Sequence, residues 1–138
     1  MKLTKKSDYA LRILISLAAL PQGEVLTTKS IAENNDISLK FLQNVVSELV
    51  KNDIIESLPG PKGGNRLLRD PHHLSVLQVI EIIEGSMSLM DCMEESTQCQ
   101  KFSYCKLHSL FGRAQFAMNE VLASCHISDL VECPAVNY

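Results

Sequence analysis

Between residues 7 and 20, the apolar residues Leu11, Leu14, Ile15 and Ala18 recur at steps of three and four, the signature of one helical face. Pro21-Gln22-Gly23 ends that helix. A shorter helix is expected from about Thr28, whose hydroxyl can cap free N–H groups, through Ile31 and Ala32. Asn34-Asn35-Asp36 then reads as a turn, and Ser38 as the N-cap of a third helix. In that helix Leu42, Val45, Val46 and Leu49 form an apolar stripe, while Lys40, Gln43, Asn44, Ser47 and Lys51 recur on a different face. Ile54 to Leu58 has strand character, with Leu67-Leu68 as its partner and Pro59-Gly60-Pro61-Lys62-Gly63-Gly64-Asn65-Arg66 between them. Ser75-Val76-Leu77-Gln78 makes a capping box for a helix ending at Gly85. Residues 86–104 look irregular. From about Cys105 a long helix places Leu107, Phe111, Ala114, Met118, Val121 and Cys125 on one seam, widened by Leu110 and Leu122.

A short helix, a turn and an amide-rich helix make a helix-turn-helix, whose second helix enters the major groove. Gln and Asn make bidentate contacts to adenine, and Lys reaches guanine or phosphate. The basic, Gly-rich hairpin that follows reads as a wing, able to lie along phosphates or place Arg66 in a minor groove. The expected fold is therefore mainly α with a small β-hairpin wing, a winged helix-turn-helix plus a long C-terminal dimerisation helix. DNA contacts are expected from Thr28, Lys29, Ser38, Lys40, Gln43 and Asn44, with Lys62 and Arg66 on the wing. The C-terminal seam is too short for an isolated coiled coil, so packing against its copy in a homodimer is expected. This divides one compact unit into a DNA-binding part (1–85), a loop (86–105) and a dimerisation helix with its tail (106–138).

Charge and motif content add to this picture. The 138 residues carry a net charge of −3, an unpromising sign for a DNA binder. However, residues 1–69 hold ten Lys/Arg and seven Asp/Glu, while residues 70–138 hold three and nine. A basic first half and an acidic second half suit different partners. The start, Met1-Lys2-Leu3-Thr4-Lys5-Lys6, has no apolar core with a cleavage site, and Ile13 to Leu20 is too short to span a bilayer. A cytoplasmic location without membrane contact is expected. No Ser–His–Asp set, phosphate loop or Cys-x-x-Cys motif is visible, so an enzyme is not expected.

Five cysteines, an odd count, in a cytosolic chain point to metal or redox chemistry rather than disulfides. Cys92-x6-Cys99-x5-Cys105-x2-His108 sets four soft or borderline ligands within 17 residues. Zinc favours closely spaced Cys pairs, and the segment has none; wide spacing and thiolate dominance suit an iron–sulfur cluster better. Zinc binding or thiol redox switching on the same fold is the alternative. Cys125 continues the seam as a small buried residue, and Cys133 lies elsewhere.

Taken together, these pieces resemble the IscR/NsrR/RirA group of bacterial winged-helix iron–sulfur regulators. The resemblance runs through Met1-Lys2-Leu3-Thr4, Asp8-Tyr9-Ala10-Leu11 and Ile37-Ser38-Leu39-Lys40-Phe41-Leu42. It continues through the Gly-rich wing, the three cysteines, Cys105-Lys106-Leu107-His108 and Ile127-Ser128-Asp129-Leu130-Val131. It implies a homodimer on a palindromic operator, usually as a repressor, controlled by a 2Fe–2S cluster, with 4Fe–4S as the alternative. The signal would be nitric oxide, redox state, iron or cluster supply. Two departures stand out: Pro59 replaces a frequent wing Arg, and the Cys92–Cys99 gap is one residue longer than the common five. For the fourth ligand, His108 is similar to the IscR type, and Asp8 from the partner subunit to the NsrR type. His108 is preferred because it lies one helical turn from Cys105.

Overall fold

The computed structural model describes residues 3–94, 99–101 and 103–132; the readings placed on Met1, Lys2 and Cys133 lie outside them. Three helices, α1 (Lys5–Ala18), α2 (Thr28–Asn35) and α3 (Leu39–Lys51), precede a hairpin of β1 (Ile55–Leu58) and β2 (Gly64–Leu67). Then come α4 (Val76–Glu84), a single 3-10 turn (Asp91–Met93), α5 (Lys106–Ser124) and α6 (Ile127–Glu132).

α1 starts two residues before the expected point because Thr4 caps it, its hydroxyl accepting from Ser7 N at 3.4 Å. Its expected stripe needs correction: Ser7, Ala10, Ile13, Leu14 and Leu17 are buried, whereas Leu11, Ile15 and Ala18 pack half-buried at the core's edge. The reason is that α1 is covered from several sides, by α3, α4 and α6. Its apolar arc is therefore wide, and residue spacing does not reveal its centre.

α2 ends at Asp36, which adopts the left-handed conformation (φ 53°) while Ile37 N returns to Ala32 O at 2.9 Å. Asp tolerates that conformation better than most residues, so the turn is tighter than the Asn34-Asn35-Asp36 reading suggests. α3 follows the expectation: Leu42, Val45, Val46 and Leu49 are its buried residues. With Ile13, Leu14, Ile31, Ile54, Leu74 and Ile127 they form one core. Each fully buried Leu or Ile contributes about 1.5–3 kcal/mol relative to an exposed one.

The hairpin is antiparallel, with Ile55 opposite Leu67 and Leu58 opposite Gly64. Leu26 adds a short third rung, exchanging backbone bonds with Asn65 at 2.8 and 3.0 Å. The capping box of α4 is complete: Ser75 Oγ accepts from Gln78 N at 3.2 Å, and Gln78 Oε1 from Ser75 N at 2.9 Å.

The described residues beyond α5 fold back onto the core. α6 packs on α1, and Ile127 is fully buried. The return is fixed where Val76 N donates to Cys125 O at 2.8 Å and Ile127 N to Leu74 O at 3.0 Å. Cys125, expected to be buried, is half-buried just beyond α5, with extended backbone. α5 itself, 19 residues long, has no buried residue.

Candidate nucleic-acid interface and cysteine loop

The buried stripe of α3 turns its other face outward, so that Lys40, Gln43, Asn44, Ser47 and Lys51 are all exposed. Packing thus fixes the helix while leaving two amides and two cations of one face in solvent. Ser38 occupies the N-cap of α3 but makes no side-chain cap bond. For α2 the cap is Thr27, not Thr28: Thr27 Oγ1 accepts from Ser30 N at 3.1 Å. The Thr28 hydroxyl instead accepts from Asn65 Nδ2 at 3.0 Å. Lys29 is largely exposed beside Glu33, 3.9 Å away, a pairing that solvent screens strongly.

In the wing, Lys62 is exposed at the turn. Arg66 is not at the tip: it sits within β2 opposite Glu56, with which it forms an ion pair. Gly63 and Gly64 are demanded by close approach. A Cβ on Gly63 would collide with the Leu58 carbonyl, and one on Gly64 would lie 3.0 Å from the Leu26 backbone.

Two carboxylates tie the elements together. Lys6 Nζ meets Glu48 Oε2 at 2.9 Å, joining α1 to α3. That hydrogen bond, then the Lys6 charge, hold the Glu48 carboxyl below its ordinary range, with Lys51 adding to them and slight burial opposing. Glu84, at the end of α4, accepts from both the N–H and the hydroxyl of Thr4 at 2.9 Å. Burial pushes the Glu84 carboxyl up, but nearby Ser7, the two Thr4 bonds and the Lys6 charge outweigh it, leaving it lowered.

Immediately after Glu84 the chain enters the cysteine loop. The 3-10 turn carrying Cys92 packs against α5, and Leu89 N donates to Gln115 Oε1 of α5 at 2.8 Å. Cys105 is the N-cap residue of α5, and His108 lies half-buried in its first turn. Cys92, Cys99 and Cys105 are half-buried thiols without a disulfide. Among the described residues, no three Cys, His, Asp or Glu side chains come together in a group that could hold a metal ion. Asp8 is engaged elsewhere, both its oxygens accepting from Arg12 Nε at 3.0 and 3.1 Å. The described donors therefore fit an iron–sulfur cluster in chemical kind, three thiols on one short segment, but they are not gathered around a common point.

Sequence reasoning misses three residues: Thr27 as the α2 cap, Glu84 as the clamp on α1, and Asn65. Only Asn65 leaves a signal, as a strand-disfavoured residue directly after two glycines.

A helix-turn-helix with an outward amide-rich helix, followed by a glycine-turned hairpin, defines a winged-helix DNA-binding protein. The chain belongs to the Rrf2 family, described as "Iron-dependent Transcriptional regulator", whose profile it matches over residues 3–133. It is 34% identical over 133 residues to the HTH-type transcriptional regulator NsrR of Bacillus subtilis, covering 96% of this chain and 91% of the relative. In structure it is similar to CymR, the global cysteine regulator of B. subtilis, with a TM-score of 0.79 and 30% identity over 95% of this chain and 96% of that one. IscR of T. potens shares the fold at a TM-score of 0.77 and 24% identity, over 96% of this chain and 87% of that one. The protein is thus a transcriptional regulator and not an enzyme. No described helix is long and apolar enough to cross a membrane.

Proposed function

We propose that this Rrf2-family regulator acts in the cytoplasm as a homodimeric repressor on a palindromic operator, with an iron–sulfur cluster on its cysteine loop. The observation that carries the cluster reading is the trio of unbridged thiols, Cys92, Cys99 and Cys105, held between the 3-10 turn and the start of α5. Three thiolates would supply most of the bonding charge, with His108 as the preferred fourth ligand and Asp8 of the second subunit as the alternative. When bound, such a cluster supplies chemistry responsive to nitric oxide, redox state, iron or cluster supply.

On the DNA side, α3 offers Lys40, Gln43 and Asn44 to base edges, with Ser38, Thr28 and Lys29 toward the backbone. Lys62 is the wing's phosphate contact. Arg66, neutralised by Glu56, contributes there only if that pair opens. The homodimer is supported by α5, where Leu107, Leu110 and Val121 of the expected seam are 56–67% exposed. Few soluble surfaces leave so many large apolar side chains uncovered on one helix.

A second reading has its own observation: the described donors do not converge. It keeps the fold and the operator but makes the loop a zinc site or a thiol redox switch. Visible spectra of anaerobically purified variants separate the two. Under the cluster reading, Cys92→Ala, Cys99→Ala and Cys105→Ala each bleach the protein, while Cys125→Ala and Cys133→Ala do not. A colourless wild-type protein would sink it. A colourless protein carrying zinc would establish the second reading's metal form.

A further inference from the structure

The geometry points to Asn65 as a positioning residue for operator binding, one that locks the wing at a fixed angle to the helix-turn-helix. Asn65 is polar, lies in a strand and is only 2% exposed. Its amide is fully used: Oδ1 accepts from Ser57 Oγ at 2.6 Å, while Nδ2 donates to Leu26 O at 3.1 Å and Thr28 Oγ1 at 3.0 Å. Its backbone adds the two bonds to Leu26. One side chain therefore joins β1, the segment entering α2, and the first residue of α2.

The consequence for DNA is geometric. Thr27 spends its hydroxyl on Ser30, accepting from its N–H and donating to its Oγ at 2.9 Å. Thr28 uses its hydroxyl oxygen as acceptor for Asn65, so its O–H proton remains available to donate outward. Between this helix start and the wing turn lies a cleft of about 220 Å³, lined by Thr27, Thr28, Ser57, Gly60, Gly63 and Asn65. A wing pinned across this cleft holds Lys62 at a set distance from the start of α2, and hence from α3. Without the side-chain pin, the hairpin keeps its own ladder and its two backbone bonds to Leu26 but can pivot about them, and a phosphate contact at its tip no longer forms together with the groove contacts.

This inference rests on the proposed wing contact of Lys62, and a double-mutant cycle tests the two separately. The probe is a duplex selected by the full-length, anaerobically purified protein from a random-sequence pool. The readout is the slope of log affinity against log salt, which falls by about 1 when one cation no longer pairs with a phosphate. Lys62→Ala in the wild-type background is expected to lower the slope by that amount per bound wing. Asn65→Ala should lower it equally, and adding Lys62→Ala to Asn65→Ala should lower it no further. Asn65→Ala is chosen because the backbone N–H of residue 65 still serves the Leu26 carbonyl, and exposed Ser57 turns to water. If this variant fails to fold, Ser57→Ala carries the same cycle with a smaller slope change. An unchanged slope in Asn65→Ala, with Lys62→Ala still subtracting its full amount, would reduce Asn65 to a stability role and overturn the inference. No effect of Lys62→Ala in the wild-type background would instead overturn the wing contact on which it rests.

Discussion

α3 and α5 carry the same kind of sequence pattern and meet opposite fates. α3 buries four apolar residues in 13. α5 buries none in 19, although its seam is as regular and it extends roughly 28 Å. The difference lies in what covers them. α3 is enclosed by α1, α2 and β1, whereas α5 touches α4 and the 3-10 turn and leaves Phe116 and Val121 each 67% exposed. Helical periodicity reports that a face wants burial. It does not report whether the chain itself supplies the cover. The helix-turn-helix finds its cover within the chain, and α5 does not.

The largest effect is expected in the covered helix. Leu49 is fully buried in α3. Leu49→Ala should cost about 2–5 kcal/mol, because burial of the removed carbons is forfeited and a residual cavity is left. Urea unfolding measures it, and a cost below about 1 kcal/mol would mean the core is looser than described.

α5 should respond differently. Val121→Glu places a carboxylate on the exposed seam, where burial of each large apolar side chain against a second copy is worth about 1.5–3 kcal/mol. Sedimentation should show a dimer turning into a monomer. In the wild type the unfolding midpoint should rise with protein concentration, and the variant should lose that dependence. A variant that stays dimeric would place the interface on another surface.

Much of this arrangement is legible in the sequence, and the limits are physical. The α3 stripe, the glycine-rich turn and the Ser75–Gln78 capping box are local patterns, set by residues within a few positions of one another. α6 escapes such a reading because it spans only six residues, and its place depends on burying Ile127 against α1, far away in sequence. Arg66 reads as lying beside the tip, yet the length of the turn, not its composition, decides which residue pairs with Glu56. The thiols are legible as a set; their mutual geometry is not, since spacing along a loop fixes no distances.

Helix capping contributes less than core burial. Ser75→Ala removes half of the α4 capping box and should cost about 1 kcal/mol in thermal or urea unfolding. An unchanged stability would mean that water replaces the bond at no cost.

The smallest expected effect is on acid stability. Glu84 and Glu48 both have folded pKa values below their ordinary range. Their contribution is present above the unfolded value and is lost as pH falls through the lower folded values. Glu84→Gln should therefore flatten the decline in stability below about pH 4. A decline as steep as that of the wild type would show that Glu84 does not contribute to it.

Under the proposed function, a ligand on the cysteine loop governs operator binding. Anaerobic operator binding by the cluster-loaded protein and by the same preparation stripped of iron and sulfide, at one fixed salt concentration, tests it most directly. A coupling of ordinary size makes the two affinities differ by about 5- to 150-fold, in whichever direction the cluster acts. Equal affinities from a preparation shown to contain iron and sulfide would contradict the claim.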